Sequence, residues 1–484
     1  MKWSRKIETQ DISSYRSSAT EYLFHRLKLV GFVPSEIKNR LSVFVGQNVF
    51  AFQQELDICN QGNICITLDL NQACAKLLGA RPSGTYEPEV DLEFFSPNET
   101  RMFMKSHKPT QSFIIPEDAQ PKLGPKERPV WFWKQVGRGG VLTVGTDLIQ
   151  DLLLPQQGDP EMVTGDARKV PKWGFDSERP NYLFEPLRQG RRKHERSADL
   201  WAFFLARTLK RIGNFTMREV LPNGAVGVIV ITGDDDQAYL EKYEEQRRLL
   251  KGIPMTYFLH PKTRHTSESL RRLAKFGPLE IGIHPDALES PEMYSTIFAD
   301  QVDWFTKSFK TNPVLVRNHG FLNDGYWGHA NDWIGREVHG SSNIPGFDGT
   351  VLNGSLLPSR LFLDGSLTPH WSMLTTIGDG VLFAGGYSSQ QAGNLVLEVA
   401  QSIRDSGMPG VMVLNLHPQN VTEAKHMHES CLSVINSGFL PLSLGETFNW
   451  FASRDESSFP DSRLIQGPLT QPRERRRLRR SWFL

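Results

Sequence analysis

The chain has 484 residues and a mass of 54.9 kDa, which allows two to four domains and excludes a single small module. Its 55 Lys and Arg offset 54 Asp and Glu, so no overall field exists to hold nucleic acid or a membrane surface. With 39% hydrophobic residues, 40 Gly and 30 Pro, this is the composition of a globular chain with many turns, not of a disordered one.

The N-terminus begins basic but runs through Gln10, Asp11 and Ser13 with no apolar stretch, and is read as mature cytoplasmic sequence. The longest apolar run, Val226 to Ile231, is far short of the roughly 20 residues that cross a bilayer. Ser18 to Leu29 has helical spacing, whereas Leu41-Ser-Val-Phe-Val and Phe113-Ile-Ile read as strands, an α/β pattern. Cys59, Cys65, Cys74 and Cys431 form no CxxC pair and are expected as buried thiols. Val130 to Asp147 reads as two strands joined at Gly137-Arg-Gly-Gly, then a helix start capped by Thr146 or Asp147; a strand intervening before the helix argues for a hairpin rather than a phosphate loop. Residues 1–154 are therefore expected to form an N-terminal α/β domain, and 155–205, rich in Pro, Gly and Arg, a linker with connecting segments. From 206 to 452 strand-like and helix-like segments alternate, which implies a parallel sheet or barrel. The tail, 453–484, carries six arginines within Arg473–Arg480 and is expected to be solvated or to touch an anionic surface.

Four segments of the second half share one grammar, an apolar strand ending in residues that bind metal or move protons. The strand Gly227-Val-Ile-Val-Ile-Thr delivers Asp234, Asp235 and Asp236, three adjacent carboxylates that repel one another unless a cation or an arginine is near; an Asx turn capping the next helix is the plain structural alternative. Leu279-Glu-Ile-Gly-Ile ends in His284, Val314-Leu-Val in Arg317-Asn-His319, and Gly410-Val-Met-Val-Leu-Asn-Leu in His417. Carboxyl ends of parallel strands are where active sites form in such folds.

These segments resemble the polysaccharide deacetylase family, also called carbohydrate esterase family four, over roughly Asn214 to Trp450. The resemblance implies an irregular (β/α) barrel of deacetylase type, preceded by an N-terminal domain loosely similar to amidotransferase-like, flavodoxin-type domains. Thr232-Gly-Asp-Asp-Asp stands for the family's Thr-Phe-Asp-Asp-Gly, which would make Asp234 the general base and Asp235 a metal ligand, with Asp236 able to take over that role. Leu288 stands where the family has a second metal histidine, four residues after His284, so His319 is the candidate replacement and Asp286 the next. Arg317 matches the arginine held against the base, and Leu414-Asn-Leu-His417 the motif whose histidine is the general acid.

The implied chemistry is hydrolysis of an acetyl or other N-acyl group on a saccharide or sugar conjugate. A divalent metal, zinc by ligand type, would be held by Asp235, His284 and His319 and would activate water. Tyr326, Trp327 and Trp371 are candidates to stack on sugar rings. A catalytically silent glycan- or protein-binding scaffold is the alternative, and a hydrolase of another amide or glycosidic bond a third reading, because fold does not fix reaction. His260, His265, His329, His339, His370, His426 and His428 have no assigned role.

Overall fold

The computed structural model describes residues 12–45, 48–68, 70–86, 91–95, 101–119, 122–123, 129–163, 178–188, 192–346 and 348–457. The Arg-rich tail, with the anionic contact expected of it, lies outside the described residues. No described helix is long and apolar enough to cross a membrane.

The first part carries β1 (Leu41–Val45), β2 (Ile64–Leu68), β3 (Arg81–Tyr86), β4 (Asp91–Phe95), β5 (Arg101–Lys105), β6 (Thr110–Ile114), β7 (Lys122–Leu123), β8 (Trp131–Val136) and β9 (Gly139–Val144). Five of them form one sheet in the order β1-β2-β9-β8-β7, with β1, β2 and β9 parallel. β3 with β6 and β4 with β5 make two antiparallel pairs. The expected hairpin forms: β8 and β9 pair from Trp131↔Val144 to Val136↔Gly139, and Gly137 turns with φ +57°, a conformation that suits glycine. All four cysteines are free and buried, with Cys59, Cys65 and Cys74 in one apolar cluster.

The second part is a ten-stranded sheet interleaved with helices, and its strands are β10 (Gly227–Asp234), β11 (Met255–Leu259), β12 (Leu279–Ile283), β13 (Leu315–Val316), β14 (Gly340–Pro345), β15 (Ser359–Leu363), β16 (Ser366–Thr375), β17 (Ile377–Gly378), β18 (Gly410–Asn415) and β19 (Leu440–Leu442). Its order is β15-β16-β14-β13-β12-β11-β10-β18-β17, with β19 also on β10, and every pairing except β15 with β16 is parallel. β10, β11, β12 and β18 are buried along their whole length, which is why they read as continuous apolar runs rather than alternating ones. Only Thr376 separates β16 from β17, so one stretch of chain pairs with β14 through Trp371–Thr375 and with β18 through Ile377 and Gly378. Helix Ser389–Asp405 shows how the covering layer is specified: a capping box joins Ser388 and Gln391, and Ala392, Leu395, Val396, Val399 and Ile403 form its buried face.

The two sheets share one core, in which Tyr22, Ile66 and Val144 join Trp201 and Phe204 and then Val228, Phe258 and Phe448. Of the stretch 155–205, expected as a linker with connecting segments, the described residues Trp201, Phe203, Phe204 and Leu205 belong to this core. The stretch holds the end of helix Leu148–Gln157 and the start of helix Ser197–Gly213, whose buried Asp199 accepts from Arg26, Arg196, the Ser355 hydroxyl and Leu356 N–H. Asp199 is thus a buried carboxylate whose oxygens are both partnered inside the fold.

Candidate active site

The carboxyl ends of β10, β12, β13, β17 and β18 converge on a cavity of about 230 Å³ lined by, among others, Asp234, Asp236, His284, His319, Asn415 and His417. Each parallel strand brings its next residue to the same edge, so residues far apart in sequence meet there.

Arg317 and Asp234 form the buried centre. Arg317 donates from Nη1 to Asp234 Oδ1 at 2.9 Å and to the Thr232 hydroxyl at 2.9 Å, from Nε to Ser342 O at 3.1 Å, and from Nη2 to the Thr375 hydroxyl at 3.2 Å. The Phe258 ring centroid lies 4.5 Å from its guanidinium carbon. Asn415 Nδ2 donates to Asp234 Oδ2 at 2.7 Å, so both carboxylate oxygens have a partner. Burial by itself would push the Asp234 carboxyl up; the Arg317 charge, together with those of His284 and His417, outweighs it and holds the group below the usual carboxylate range.

His417 closes the opposite wall. Its Nδ1 lies 2.5 Å from Asp379 Oδ1, its backbone N–H donates to Asp379 Oδ2 at 2.9 Å, and its Nε2 points between Asp234 Oδ2 at 3.8 Å and Asp236 Oδ2 at 3.6 Å. Burial disfavours the imidazolium, but the Asp379 carboxylate, with Asp236 and Asp234 behind it, more than offsets this and the His417 pKa is pushed up to about 10. The ring is thus a protonated donor aimed into the cavity. Asp379 itself escaped notice in the sequence because the strand before it has only two residues.

The third cluster joins Asp236, His284 and His319, whose nearest nitrogen and oxygen atoms all lie within 4.8 Å of one another. His284 Nε2 is 3.6 Å and His319 Nε2 4.0 Å from Asp236 Oδ1. His284 Nδ1 donates to Arg317 O at 2.7 Å, since a carbonyl only accepts, and this holds the ring with its Nε2 edge toward Asp236. A tetrahedral zinc with ligands at about 2.0–2.2 Å separates its ligand atoms by roughly 3.3–3.6 Å. One carboxylate and two imidazoles, with one pair at 3.6 Å and the other at 4.0 Å, are a donor set of the kind a divalent cation takes.

Two expectations need correction. The carboxylate beside the imidazoles is Asp236, not Asp235: Asp235 is turned into the core, where its Oδ1 accepts from the Tyr243 hydroxyl at 2.6 Å and from Gln237 N–H at 3.2 Å. Strand alternation explains the swap, since adjacent residues leaving a strand face opposite sides. The aromatic residues expected on sugar rings do not line the cavity. Trp371 is fully buried near His25 and Phe448, and Trp327 is 1% exposed with its indole N–H donating to Gln157 O at 2.8 Å, so neither face is open to a ligand. Tyr326 is half-buried, its hydroxyl accepting from Gln157 Nε2 at 3.2 Å. Asp234, Arg317, His417, His284 and His319 do come together as the spacing of strand ends suggested. Asn415 lay unassigned within the Leu-Asn-Leu-His segment, and Arg179, which lines the cavity from the expected linker and donates to Gly320 O at 2.7 Å, carried no sequence signal.

No family model matches the chain, and no curated protein matches it. Among solved structures it is similar to a polysaccharide deacetylase from Mycobacterium smegmatis, at 16% identity and TM-score 0.37 over 52% of this chain and 97% of that one. It is also similar to the peptidoglycan deacetylase PdaC from Bacillus subtilis, at 14% identity and TM-score 0.31 over 49% and 95%, and to a family 4 carbohydrate esterase from Streptomyces lividans in complex with acetate, at 10% identity and TM-score 0.28 over 45% and 92%. Each likeness covers about half of this chain.

Proposed function

We infer that the protein is a metal-dependent hydrolase that removes an acetyl or other N-acyl group from a saccharide or sugar conjugate, working at the carboxyl edge of a closed, irregular barrel. The observation that carries this reading is the meeting of a buried Asp234–Arg317 pair, a His417–Asp379 pair and an Asp236–His284–His319 triad around one cavity. An acid, a base and a ligand set in one place exceed what a binding surface requires.

Asp236, His284 and His319 would hold the divalent cation, zinc by ligand type, which when bound lowers the pKa of water and polarises an acyl carbonyl. Asp234 is kept ionised by Arg317 and, with both oxygens oriented, accepts the proton of the attacking water. His417 stays protonated and directs its Nε2 proton to the nitrogen that leaves as the amide bond breaks. Asp379 holds that ring by Nδ1 and stabilises its charge. The products are a carboxylate and a free amine, and the proton taken by Asp234 balances the one given by His417.

The test is acetate release from N-acetylated oligosaccharides by the full-length protein, before and after removal of metal by a chelator and re-addition of zinc or cobalt. Release that depends on the metal and vanishes in Asp234→Asn is expected. A protein that takes up no divalent metal and releases no acetate overturns the reading.

A further inference from the structure

Beside the site lie a carboxylate and an imidazole with no part in the chemistry above. His260 follows β11 and is buried; Asp286 is two residues beyond His284 and 24% exposed. His260 Nε2 is 3.1 Å from Asp286 Oδ2, and Asp286 Oδ1 is 3.1 Å from His319 Nδ1. With His319 they form a second group whose nearest nitrogen and oxygen atoms lie within 4.8 Å of one another, so distance alone permits a second cation there.

The tautomers decide otherwise. Lys262 N–H donates to His260 Nδ1 at 3.0 Å, which makes that nitrogen the acceptor and places the ring proton on Nε2, the atom facing Asp286. A protonated Nε2 has no lone pair for a cation and donates to the carboxylate instead. Asp286 is fixed on its other sides as well: its N–H donates to Gln301 Oε1 at 2.9 Å, its carbonyl accepts from Gln301 Nε2 at 2.8 Å, and its Oδ1 accepts from Leu288 N–H at 3.2 Å. A carboxylate held this firmly presents Oδ1 to His319 Nδ1. A proton on Nδ1 then leaves the Nε2 lone pair on the Asp236 side, 4.0 Å from Asp236 Oδ1.

Resting on the metal-site reading above, we propose that Asp286 is a positioning residue that fixes the ring orientation and tautomer of His319, with His260 as its brace, and that neither Asp286 nor His260 binds a cation. The need for such support is local. His319 is 28% exposed and is followed by Gly320 at φ +60°, so its turn does not by itself immobilise the ring. Leu288, where a histidine from the same segment as His284 would stand, leaves the third ligand to this turn. A carboxylate on the distal nitrogen of a ligand histidine is worth about 10- to 100-fold in metal affinity.

The experiment is cobalt(II) titration of the full-length protein, read by visible absorption and by bound metal per chain, for the wild type, Asp286→Ala, Asp286→Asn, His260→Leu and His319→Ala. The expected wild type binds one cobalt. Asp286→Ala still binds one, with affinity lower by about 10- to 100-fold and an altered spectrum; Asp286→Asn loses less, because its amide oxygen still accepts from His319 Nδ1–H; His260→Leu falls between wild type and Asp286→Ala. Unchanged affinity in Asp286→Ala overturns the proposal while leaving the metal-site reading intact. Two cobalt ions in the wild type, one of them lost in both Asp286→Ala and His260→Leu, also overturns it, since these residues would then be ligands. A wild type that binds no cobalt removes the metal-site reading and the proposal with it. Melting curves of the metal-free proteins identify any variant that fails to fold; if Asp286→Ala does so, Asp286→Asn and His260→Leu decide.

Discussion

The two sheets end their parallel strands in polar residues, but those residues do different things. After β2 and β9 of the first sheet stand Asn71 and Asp147, and each accepts from a backbone N–H three residues on, at 2.8 Å from Cys74 and 3.2 Å from Gln150. They are helix caps, and these bonds are local. After β10, β12, β13, β17 and β18 of the second sheet stand Asp236, His284, Arg317, His319, Asp379 and His417, whose partners come from other strands: Arg317 reaches Asp234 across 83 positions and Asn415 reaches it across 181. A polar residue at a strand end is therefore weak evidence of function. One whose partners lie on other strands has given up a local role for a shared one.

The sharpest way to break this comparison is to neutralise a cross-strand residue without changing its shape. Asp234→Asn keeps volume and burial but removes the proposed base, and on that reading acyl release should fall by about 10²–10⁴-fold, measured as kcat/KM beside an unchanged circular dichroism spectrum. Asp379→Ala should cost less than removing the His417 imidazole itself, because the ring remains and only its orientation and charge are lost; kcat should fall more than KM rises. If either variant retains full activity, the chemistry has been assigned to the wrong cluster.

Removal of Arg317 comes next, and its effect is on the fold. Arg317 is fully buried and Asp234 is 4% exposed at the side chain, so Arg317→Met leaves a desolvated carboxylate without its counter-charge. Breaking a buried pair in this way costs about 3–5 kcal/mol, to be read from denaturant midpoints. The double variant Arg317→Met with Asp234→Asn should recover much of that loss, since the unpaired charge is then gone. No recovery would mean that the hydrogen bonds of Arg317 to Thr232, Ser342 and Thr375, rather than the ion pair, hold the strands together.

Much of the site was legible in the sequence because parallel strands buried on both faces read as apolar runs, and each run ends on one polar residue at the same edge. Asp234, His284, Arg317 and His417, singled out that way, lie together in the structure. What the pattern could not resolve was the direction of neighbouring side chains: Asp235 and Asp236 differ only in which way they leave β10, and that is set by the Tyr243 hydroxyl and the imidazoles, which are distant in sequence. Trp327 and Trp371 failed for a related reason, since an aromatic residue near a motif serves a core as readily as a ligand. The buried pairing of Asp199 was hidden because Asp199, Arg196 and Arg26 look like solvent-facing charges until the fold pairs them.

A smaller, pH-dependent effect should come from the junction of the two regions. Asp455 lies 3.0 Å from His25 Nδ1 and 3.0 Å from Arg360 Nη1, with Lys28 Nζ at 3.6 Å. Burial lowers the His25 pKa, and its Nε2 accepts from Arg360 N–H at 3.2 Å, so at neutral pH the ring is uncharged and the positive charge comes from Arg360 and Lys28. Burial opposes ionisation of Asp455, but its basic neighbours prevail and its pKa is lowered. A carboxylate depressed in the folded state adds stability above its unfolded pKa of about 3.9 and loses it as pH falls toward the folded value. Asp455→Asn should therefore be less stable than wild type at pH 7, with the difference shrinking below about pH 4 in melting experiments. An unchanged difference at low pH would show that Asp455 acts through packing and not through charge.

The smallest effect tests the other half of the comparison. Asn71→Ala and Asp147→Ala each remove a cap that accepts from a nearby backbone N–H, and each should cost about 1 kcal/mol, within a range of about 0.5–2. Neither should alter cobalt affinity or acyl release, because neither residue lines the cavity. The caps nevertheless belong to a sheet that shares its core with β10 through Val144 and Val228, so a strained or loosely held site would report their loss. A shift in metal affinity much beyond the error of the titration would mean that the first sheet sets the geometry of the second, and the contrast between local caps and shared chemistry would have to be redrawn as one cooperative unit.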